Sequence, residues 1–124
     1  MKPLAVVTGV GPGTGSSLVR RFVAGGYQVA MIARDVARLD GLAAELPEAF
    51  AVPCDVTDTA ALHAALDAIK QRAGAPEVVV HNAVGGAFAD FMEVAPKTLQ
   101  LNFDVNVMAL LHLARWAAPL MVER

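Results

Sequence analysis

The residues with the clearest capacity for chemistry are three glycines near the start of the chain, spaced G-x-x-x-G-x-G at Gly9, Gly13 and Gly15. An apolar run precedes them, and a helical pattern begins at Ser16. A buried strand leading into a helix presents unpaired N–H groups and the positive end of the helix dipole to an anion. Glycines at such a turn let a pyrophosphate approach, because no Cβ blocks it. The predicted phosphate-binding residues are Thr8, Gly9, Gly11, Gly13, Thr14 and Gly15. The alternative is a strand-to-helix turn that binds nothing.

Polar residues also follow the other predicted strands. Arg34 follows the second strand, Asp55 the third and Asn82 the fourth. Because the carboxyl ends of parallel strands meet at one edge of a sheet, these side chains are expected beside the glycine turn. The sequence therefore predicts a single ligand crevice at that edge.

Alternating strand and helix patterns separate these positions. Apolar runs predict strands at 4–7, 27–33, 49–54 and 77–81, and apolar residues at helical spacing predict helices at 16–23, 36–46, 59–73 and 97–121. Pro119 is expected to bend or end the last helix. With right-handed crossovers, this order predicts an α/β fold that is half of a doubly wound parallel sheet, with strand order 3-2-1-4.

Length, charge and residue spacing limit the classes of partner. The chain has 124 residues, a formal net charge of −2 and one cysteine, which fits one domain and offers no basic surface for nucleic acid. No signal peptide is recognised and no apolar run approaches the ~18 residues of a membrane helix, so a cytoplasmic protein without a membrane segment is expected. The three histidines have no metal-ligand spacing, and no metal site is predicted.

The proportion of apolar residues is high. Hydrophobic residues make up 56% of the chain and charged residues 18%, against roughly 45–50% and 25% in ordinary soluble domains. We expect either that the chain pairs with another chain or that the sequence is part of a longer one.

Four motifs in order resemble those of the short-chain dehydrogenase/reductase family. They are Thr8-Gly9-x-x-x-Gly13-x-Gly15, Asp55-Val56, His81-Asn82-Ala83-Val84, and Val105-Asn106-Val107 followed by Pro119-Leu120-Met121. The resemblance spans all 124 residues. It implies a Rossmann-type NAD(P)-binding domain at 1–124 and hydride transfer between the cofactor and a small carbonyl or alcohol substrate. It also implies a homo-oligomer formed through the helix predicted at 97–121.

The resemblance also implies roles for individual residues. Asp55 and Val56 would contact the adenine ring, although Asp55 also fits a helix cap. Asn82 and Ala83 would lie beside the cofactor, although Asn82 also fits a residue that ties strand four to its neighbours. Asn106 would be catalytic, organising a water molecule that relays protons.

Arg34 stands where members that prefer NAD carry an acid. A guanidinium there favours the 2′-phosphate of NADP(H), so NADP(H) is predicted over NAD(H). The alternative is a solvated charge paired with Asp35 or Asp55. The usual helping basic residue inside the glycine turn is absent, since Pro12 occupies its place.

The chain departs from the family pattern at several points. His81 replaces an asparagine, and Val84 replaces a glycine that Gly85 could supply one residue later. The family's catalytic serine and Tyr-x-x-x-Lys pair are absent, since the single tyrosine is Tyr27 and position 31 is Met31. We therefore interpret the sequence as the cofactor-binding part of a longer reductase, lacking the C-terminal strands and inactive alone. The alternative is a non-catalytic dinucleotide-binding or sensing module.

Overall fold

The fold is a parallel four-stranded sheet with helices on both faces. The computed structural model describes residues 1–86 and 89–123. The strands are β1 (Leu4–Thr8), β2 (Gln28–Ala33), β3 (Ala49–Pro53) and β4 (Pro76–His81). All neighbours pair in parallel, in the order β3-β2-β1-β4. The predicted α/β class and the predicted strand order are confirmed.

Helices alternate with the strands and then close the described chain. They are α1 (Thr14–Ala24), α2 (Val36–Glu45), α3 (Thr59–Ala73), α4 (Pro96–Phe103) and α5 (Ala109–Glu123), with a π-helical turn at Asp104–Met108 between the last two. Asp35 caps α2 by accepting a hydrogen bond from the backbone N–H of Arg38, and Asp58 caps α3 through Ala61. The bounds predicted for the third helix are those of α3.

The last helical region differs from the uninterrupted helix predicted at 97–121. A wide π turn separates α4 from α5, and helical structure continues through Pro119 to Glu123. The missing N–H of Pro119 removes one i→i−4 hydrogen bond, yet α5 continues past it. Of the two outcomes expected at Pro119, bending or ending the helix, ending is therefore wrong.

The core is divided between the two faces of the sheet. On one face, strand residues such as Val6 and Ile32 pack with Leu62 and Leu66 of α3 and Leu113 of α5. On the other face, residues of β1 and β2 pack with side chains from α1 and α2, among them Val7, Met31, Val19, Leu39 and Leu42. All of β1 is buried, as expected for a strand covered on both sides.

A large apolar surface remains exposed around the last helices. Apart from Met1 and Val36, the exposed large apolar side chains of the described residues all lie between positions 84 and 122. No described residue of α4 is buried. The continuous stretch Pro96–Glu123 is long and apolar enough, by length and composition alone, to cross a membrane. The expectation that no apolar stretch approaches the length of a membrane helix is therefore wrong. One side of α5 nevertheless packs on the sheet through Ala109 and Leu113, and Ala117 on that side is buried as well.

Candidate functional site

The predicted site residues converge on one crevice at the carboxyl edge of the sheet. Its volume is about 870 Å³, within the range of small-molecule and cofactor sites. Ten predicted residues line it: Gly9, Gly11, Gly13, Thr14, Gly15, Arg34, Asp55, Val56, Asn82 and Ala83. Two others do not: Thr8 is fully buried behind the turn, and Asn106 lies next to Val105, which does line the crevice.

Two glycines of the turn are required by the fold itself. Gly9 has a φ of +68°, and a Cβ on it would lie 2.5 Å from the backbone nitrogen of Ala83. A Cβ on Gly15 would overlap the backbone carbonyl of Gly9. These two positions therefore bring β1, α1 and the segment after β4 into close contact.

The other two glycines face open space. A Cβ on Gly11 or Gly13 would meet no described protein atom within 4 Å, yet both residues line the crevice. Gly13 is the N-cap residue of α1, and among the described side chains none caps this helix and none in its first turn is acidic. The N-terminal end of α1 thus keeps its positive dipole uncompensated, beside space that would receive an anion.

Asn82 ties the segment after β4 to the glycine turn. Its side-chain Nδ2 donates a hydrogen bond to the carbonyl of Gly9 at 3.0 Å. The next backbone N–H, that of Ala83, donates to the hydroxyl of Thr8 at 3.1 Å. The interpretation of Asn82 as a tie between strands therefore agrees with the geometry, and its place in the crevice wall leaves cofactor contact open as a second role.

His81 connects β1 to the π turn. Its Nδ1 lies 2.9 Å from the hydroxyl of Thr8, and its Nε2 lies 2.9 Å from the carbonyl of Val105. Because the carbonyl of Val105 can only accept, Nε2 donates to it, and Nδ1 is left to pair with the Thr8 hydroxyl, which also accepts from Ala83. Both ring nitrogens of His81 therefore have hydrogen-bond partners, a bridging role that was not anticipated.

A signal for that bridge was present in the sequence. Strand order 3-2-1-4 makes β1 and β4 neighbours, and both predicted strands lead into a polar residue, Thr8 and His81. The register places these two residues side by side. The partner on the π turn could not be inferred, because Val105 lies 24 residues further along the chain.

Asn106 is engaged with the backbone of Gly85. Its Oδ1 accepts from the N–H of Gly85 at 2.9 Å, and its Nδ2 donates to the carbonyl of the same residue at 2.8 Å. A Cβ on Gly85 would lie 2.8 Å from Oδ1 of Asn102. Gly85 therefore packs directly against Asn102, an approach that a residue with a Cβ could not make.

The carboxylate of Asp55 is fixed by a short turn. It accepts hydrogen bonds from the backbone N–H of Thr57 at 3.0 Å and from the Thr57 hydroxyl at 2.7 Å. These two bonds lower the pKa of Asp55, and the nearby charge of Arg34 lowers it further. Asp58 rather than Asp55 caps α3, so the helix-cap alternative does not describe Asp55.

Charged residues after β2 form the side wall of the crevice. Arg34 is exposed and makes no ion pair among the described residues, so the predicted alternative of a pair with Asp35 or Asp55 is not found. The Arg34 charge acts on Asp55 only from a longer distance. Instead, Arg38 pairs with Asp35. Burial, and then the charges of Asp55 and Asp58, raise the pKa of the Cys54 thiol at the base of the crevice.

The parallel sheet, the uncapped glycine turn and the crevice at the carboxyl edge define a dinucleotide-binding α/β domain. A family model described as short chain dehydrogenase matches residues 3–124. The chain belongs to the short-chain dehydrogenase/reductase family.

Named relatives and solved structures agree with this assignment. L-xylulose reductase from Mesocricetus auratus is 32% identical over 120 residues, which are 97% of this chain and 48% of that protein. A crystal structure of L-sorbose reductase from Gluconobacter frateurii, in complex with NADPH and L-sorbose, is similar with a TM-score of 0.92 and 30% identity, covering 99% of this chain and 49% of that one. The chain therefore spans about half the length of the relatives it matches.

Relatives with the other nicotinamide cofactor are also known. A 3-ketoacyl-(acyl-carrier-protein) reductase from Brucella melitensis, complexed with NADH, is similar with a TM-score of 0.90 and 28% identity. That match covers 98% of this chain and 50% of that one. Family membership thus supports a nicotinamide cofactor without selecting between the two.

Proposed function

We propose that this chain is the dinucleotide-binding half of an NADP(H)-dependent oxidoreductase that transfers hydride between the cofactor and a small carbonyl or alcohol substrate. The observation that carries the proposal is the uncapped N-terminal end of α1, beside Gly11 and Gly13, where a Cβ would enter open crevice. Backbone N–H groups at that end would hold the pyrophosphate. The nicotinamide supplies the hydride chemistry when it is bound.

The remaining walls of the crevice would hold the other parts of the cofactor. Asp55 and Val56, at the end of β3, would contact the adenine, and Asn82 and Ala83 would lie along the cofactor after β4. Thr57 keeps the Asp55 carboxylate in one orientation. A carboxylate held in this way would accept a hydrogen bond from an adenine amino group. Fixed acceptors lower the entropy lost on binding.

NADP(H) is favoured over NAD(H) because of Arg34. Its exposed guanidinium lines the crevice without a carboxylate partner in the described part of the chain, and such a group pairs well with a phosphate. The similarity to a sorbose reductase solved with NADPH supports this preference.

Asn106 is proposed to act in catalysis through its surroundings. Both polar atoms of its side chain are already bonded to Gly85. A proton-relaying water would therefore be positioned by the backbone of the π turn. π turns inside α-helices often mark functional positions.

The substrate class is proposed from the names of relatives. L-xylulose reductase and L-sorbose reductase favour a small ketose or polyol. We further propose a cytoplasmic homo-oligomer built on the exposed face of α4 and α5, with neither nucleic acid nor membrane as a partner.

A second function, a dinucleotide-binding or sensing module without chemistry, is favoured by the position of Tyr27. This is the single tyrosine of the sequence. It precedes β2 and donates a hydrogen bond to Glu77 near the start of β4. That place is at the amino edge of the sheet, opposite the crevice, so Tyr27 is not available as a proton donor to a substrate.

Calorimetric titration with NADPH and NADH tests the shared part of both functions. We expect binding of NADPH, and we expect Gly13→Val to weaken it at least about tenfold because the side chain occupies the phosphate space. Gly41→Val is the matched control, since Gly41 lies on α2 with open space around it and outside the crevice. Absence of binding by the wild-type chain would exclude both functions. Turnover has to be measured with the longer reductase proposed here, since this half is expected to be inactive alone. Consumption of NADPH with L-xylulose or L-sorbose by that longer chain would support the oxidoreductase, whereas binding without turnover by it would support the sensing module.

A further inference from the structure

Two histidines from different helices meet on the surface between α3 and α5. His63 belongs to α3 and His112 to α5, and the centres of their rings lie 5.1 Å apart with an angle of 79° between the ring planes. The spacing of histidines along the chain predicts no metal site, because it does not show that these two rings are neighbours. The fold creates the pair.

The cores of the two helices hold these histidines in place. Leu62 precedes His63 and is fully buried, and Leu113 follows His112 and is buried as well. Both leucines belong to the apolar cluster on one face of the sheet. The backbones that carry the rings are therefore fixed relative to each other, and little freedom is lost when both rings bind one ligand.

The ring nitrogens of this pair are open to a ligand. Across residues 1–86 and 89–123, hydrogen bonds engage both ring nitrogens of His81, but none engages the ring of His63 or His112, and no ion pair does so. His63 is exposed and His112 is half-buried, so water and dissolved ions reach the pair. A neutral imidazole has one nitrogen that can bind a metal ion, and imidazole is a preferred ligand of Zn²⁺, Ni²⁺ and Cu²⁺.

The separation of the rings fits one shared ion. An imidazole nitrogen binds such an ion at about 2.0–2.1 Å, and the ring centre lies about 1 Å behind that nitrogen, so two imidazoles at a tetrahedral angle have their centres about 5 Å apart. The 5.1 Å between His63 and His112 agrees with this value.

The surroundings supply no further protein ligand and no net opposing charge. Among the described residues, no third histidine, cysteine or carboxylate completes a metal-binding group with the pair. One turn after His63 the same helix carries Asp67, and one turn after His112 α5 carries Arg115. These two charges have opposite signs, so the local field does not exclude a cation.

We propose that His63 and His112 together bind one divalent transition-metal ion of the Zn²⁺ or Ni²⁺ type, which joins α5 to α3, with water completing its coordination. This site is separate from the crevice, and the inference does not depend on the proposed cofactor. The ion would fasten the last helical region, whose outer side is largely exposed, to the well-covered part of the fold.

Calorimetric titration of the full chain, prepared without a histidine tag, tests the site with Zn²⁺, Ni²⁺ and Mg²⁺ in turn. We expect one Zn²⁺ or Ni²⁺ ion to bind per chain with a dissociation constant below about 100 μM. Mg²⁺ should not bind, because it prefers oxygen ligands. Binding of neither transition metal below that limit would mean that the two rings only contact each other, and would overturn the inference.

Substitution of each histidine distinguishes a shared ion from two independent sites. His63→Gln and His112→Gln should each weaken Zn²⁺ and Ni²⁺ binding at least about tenfold, and the double variant should be no weaker than either single one, since a chelate needs both rings. Gln71→Ala is the matched control, because Gln71 is exposed on the same helix as His63, two turns away, and should leave the affinity unchanged. Cys54 and His81 are intact in all of these proteins. Unchanged binding in the histidine variants, or two ions per chain of which each variant loses one, would contradict a shared site.

Nitrogen-15 NMR of the histidine rings needs no variant and so does not depend on how the variants fold. Addition of Zn²⁺ to the wild-type chain should shift the ring nitrogens of His63 and His112 at the same metal concentration and leave those of His81 in place. A shift of only one of the two rings, or of His81 first, would overturn the inference.

Discussion

The N-terminal and C-terminal regions of the described chain differ in how completely their apolar side chains are buried. In residues 1–75, with β1 to β3 and α1 to α3, Met1 and Val36 are the only exposed large apolar side chains, and every residue of β1 is buried. Residues 76–123 do not: in β4 only Pro76 is fully buried, and α4 has no buried residue. The segment Val78-Val79-Val80 is as apolar as Val6-Val7, yet it is half-buried.

Neighbours explain this difference better than residue type does. Within the described residues, β1 has a paired strand on each side, whereas β4 is paired only with β1. An apolar strand with one neighbour exposes part of its backbone and side chains. A run of valines in the sequence therefore indicates a strand but not how completely that strand is covered. The exposed side chains between 84 and 122 form a surface suited to being covered by protein.

Truncating one leucine in each region tests this difference in burial. Equal losses in the free energy of unfolding would contradict it. Leu66 of α3 is fully buried and Leu111 of α5 is 42% exposed, and both are in helices, so helix propensity cancels. We expect Leu66→Ala to lower the free energy of unfolding by about 2–5 kcal/mol, through lost burial and a cavity. Leu111→Ala should cost less than about 1 kcal/mol. Urea denaturation of both variants measures the difference, and similar midpoints would show that the helix face around Leu111 is covered in solution.

A smaller effect is expected at the hydrogen bonds that join the two regions. His81→Leu leaves the Thr8 hydroxyl and the Val105 carbonyl without their side-chain partner, and should cost about 1–3 kcal/mol. His81→Asn, which keeps donor and acceptor groups, should recover part of that loss. Chemical denaturation measures both, with exposed His63→Leu as the control. If His81→Leu were as stable as the wild type, the bridge between β1 and the π turn would contribute nothing.

The smallest effect is expected in acid, at Asp55. The pKa of Asp55 is lowered from the usual 3.8, first by the backbone bond from Thr57 and then by its hydroxyl. A group whose pKa is depressed by folding stabilises the protein above its unfolded pKa, and the contribution is lost as the pH falls through the folded pKa. Stability of the wild type should thus fall below about pH 4 more steeply than that of Asp55→Asn.

Thr57→Val gives the intermediate case for this acid effect. It removes the hydroxyl bond and leaves the backbone bond, so its pH dependence should lie between those of the other two proteins. Thermal unfolding followed by circular dichroism across this pH range provides the measurement. Parallel curves for all three proteins would mean that the Asp55 turn is not maintained in solution.

The sequence predicted the parts of the fold that local pattern controls. Turn residues bounded each apolar segment of the sequence. The resulting order of strands and helices was enough to predict the strand order of the sheet and the bounds of α3. The glycine spacing predicted the turn, and polar residues at strand ends predicted which side chains, Arg34, Asp55 and Asn82, share the crevice.

Features that depend on contacts between distant residues could not be predicted. The π turn carries Asn106 and Val105, whose partners Gly85 and His81 lie 21 and 24 residues away.

The extra residue in the wide turn at Asp104–Met108 also sets the rotational phase of everything after it. Each residue advances an α-helix by about 100°, so removing one amino acid there and restoring ordinary winding would swing α5 by that angle about its axis. The buried residues of α5, Ala109, Leu113 and Ala117, would turn aside, and a different row of side chains would point inward. Homologous chains should therefore tolerate substitutions in this segment far better than single deletions.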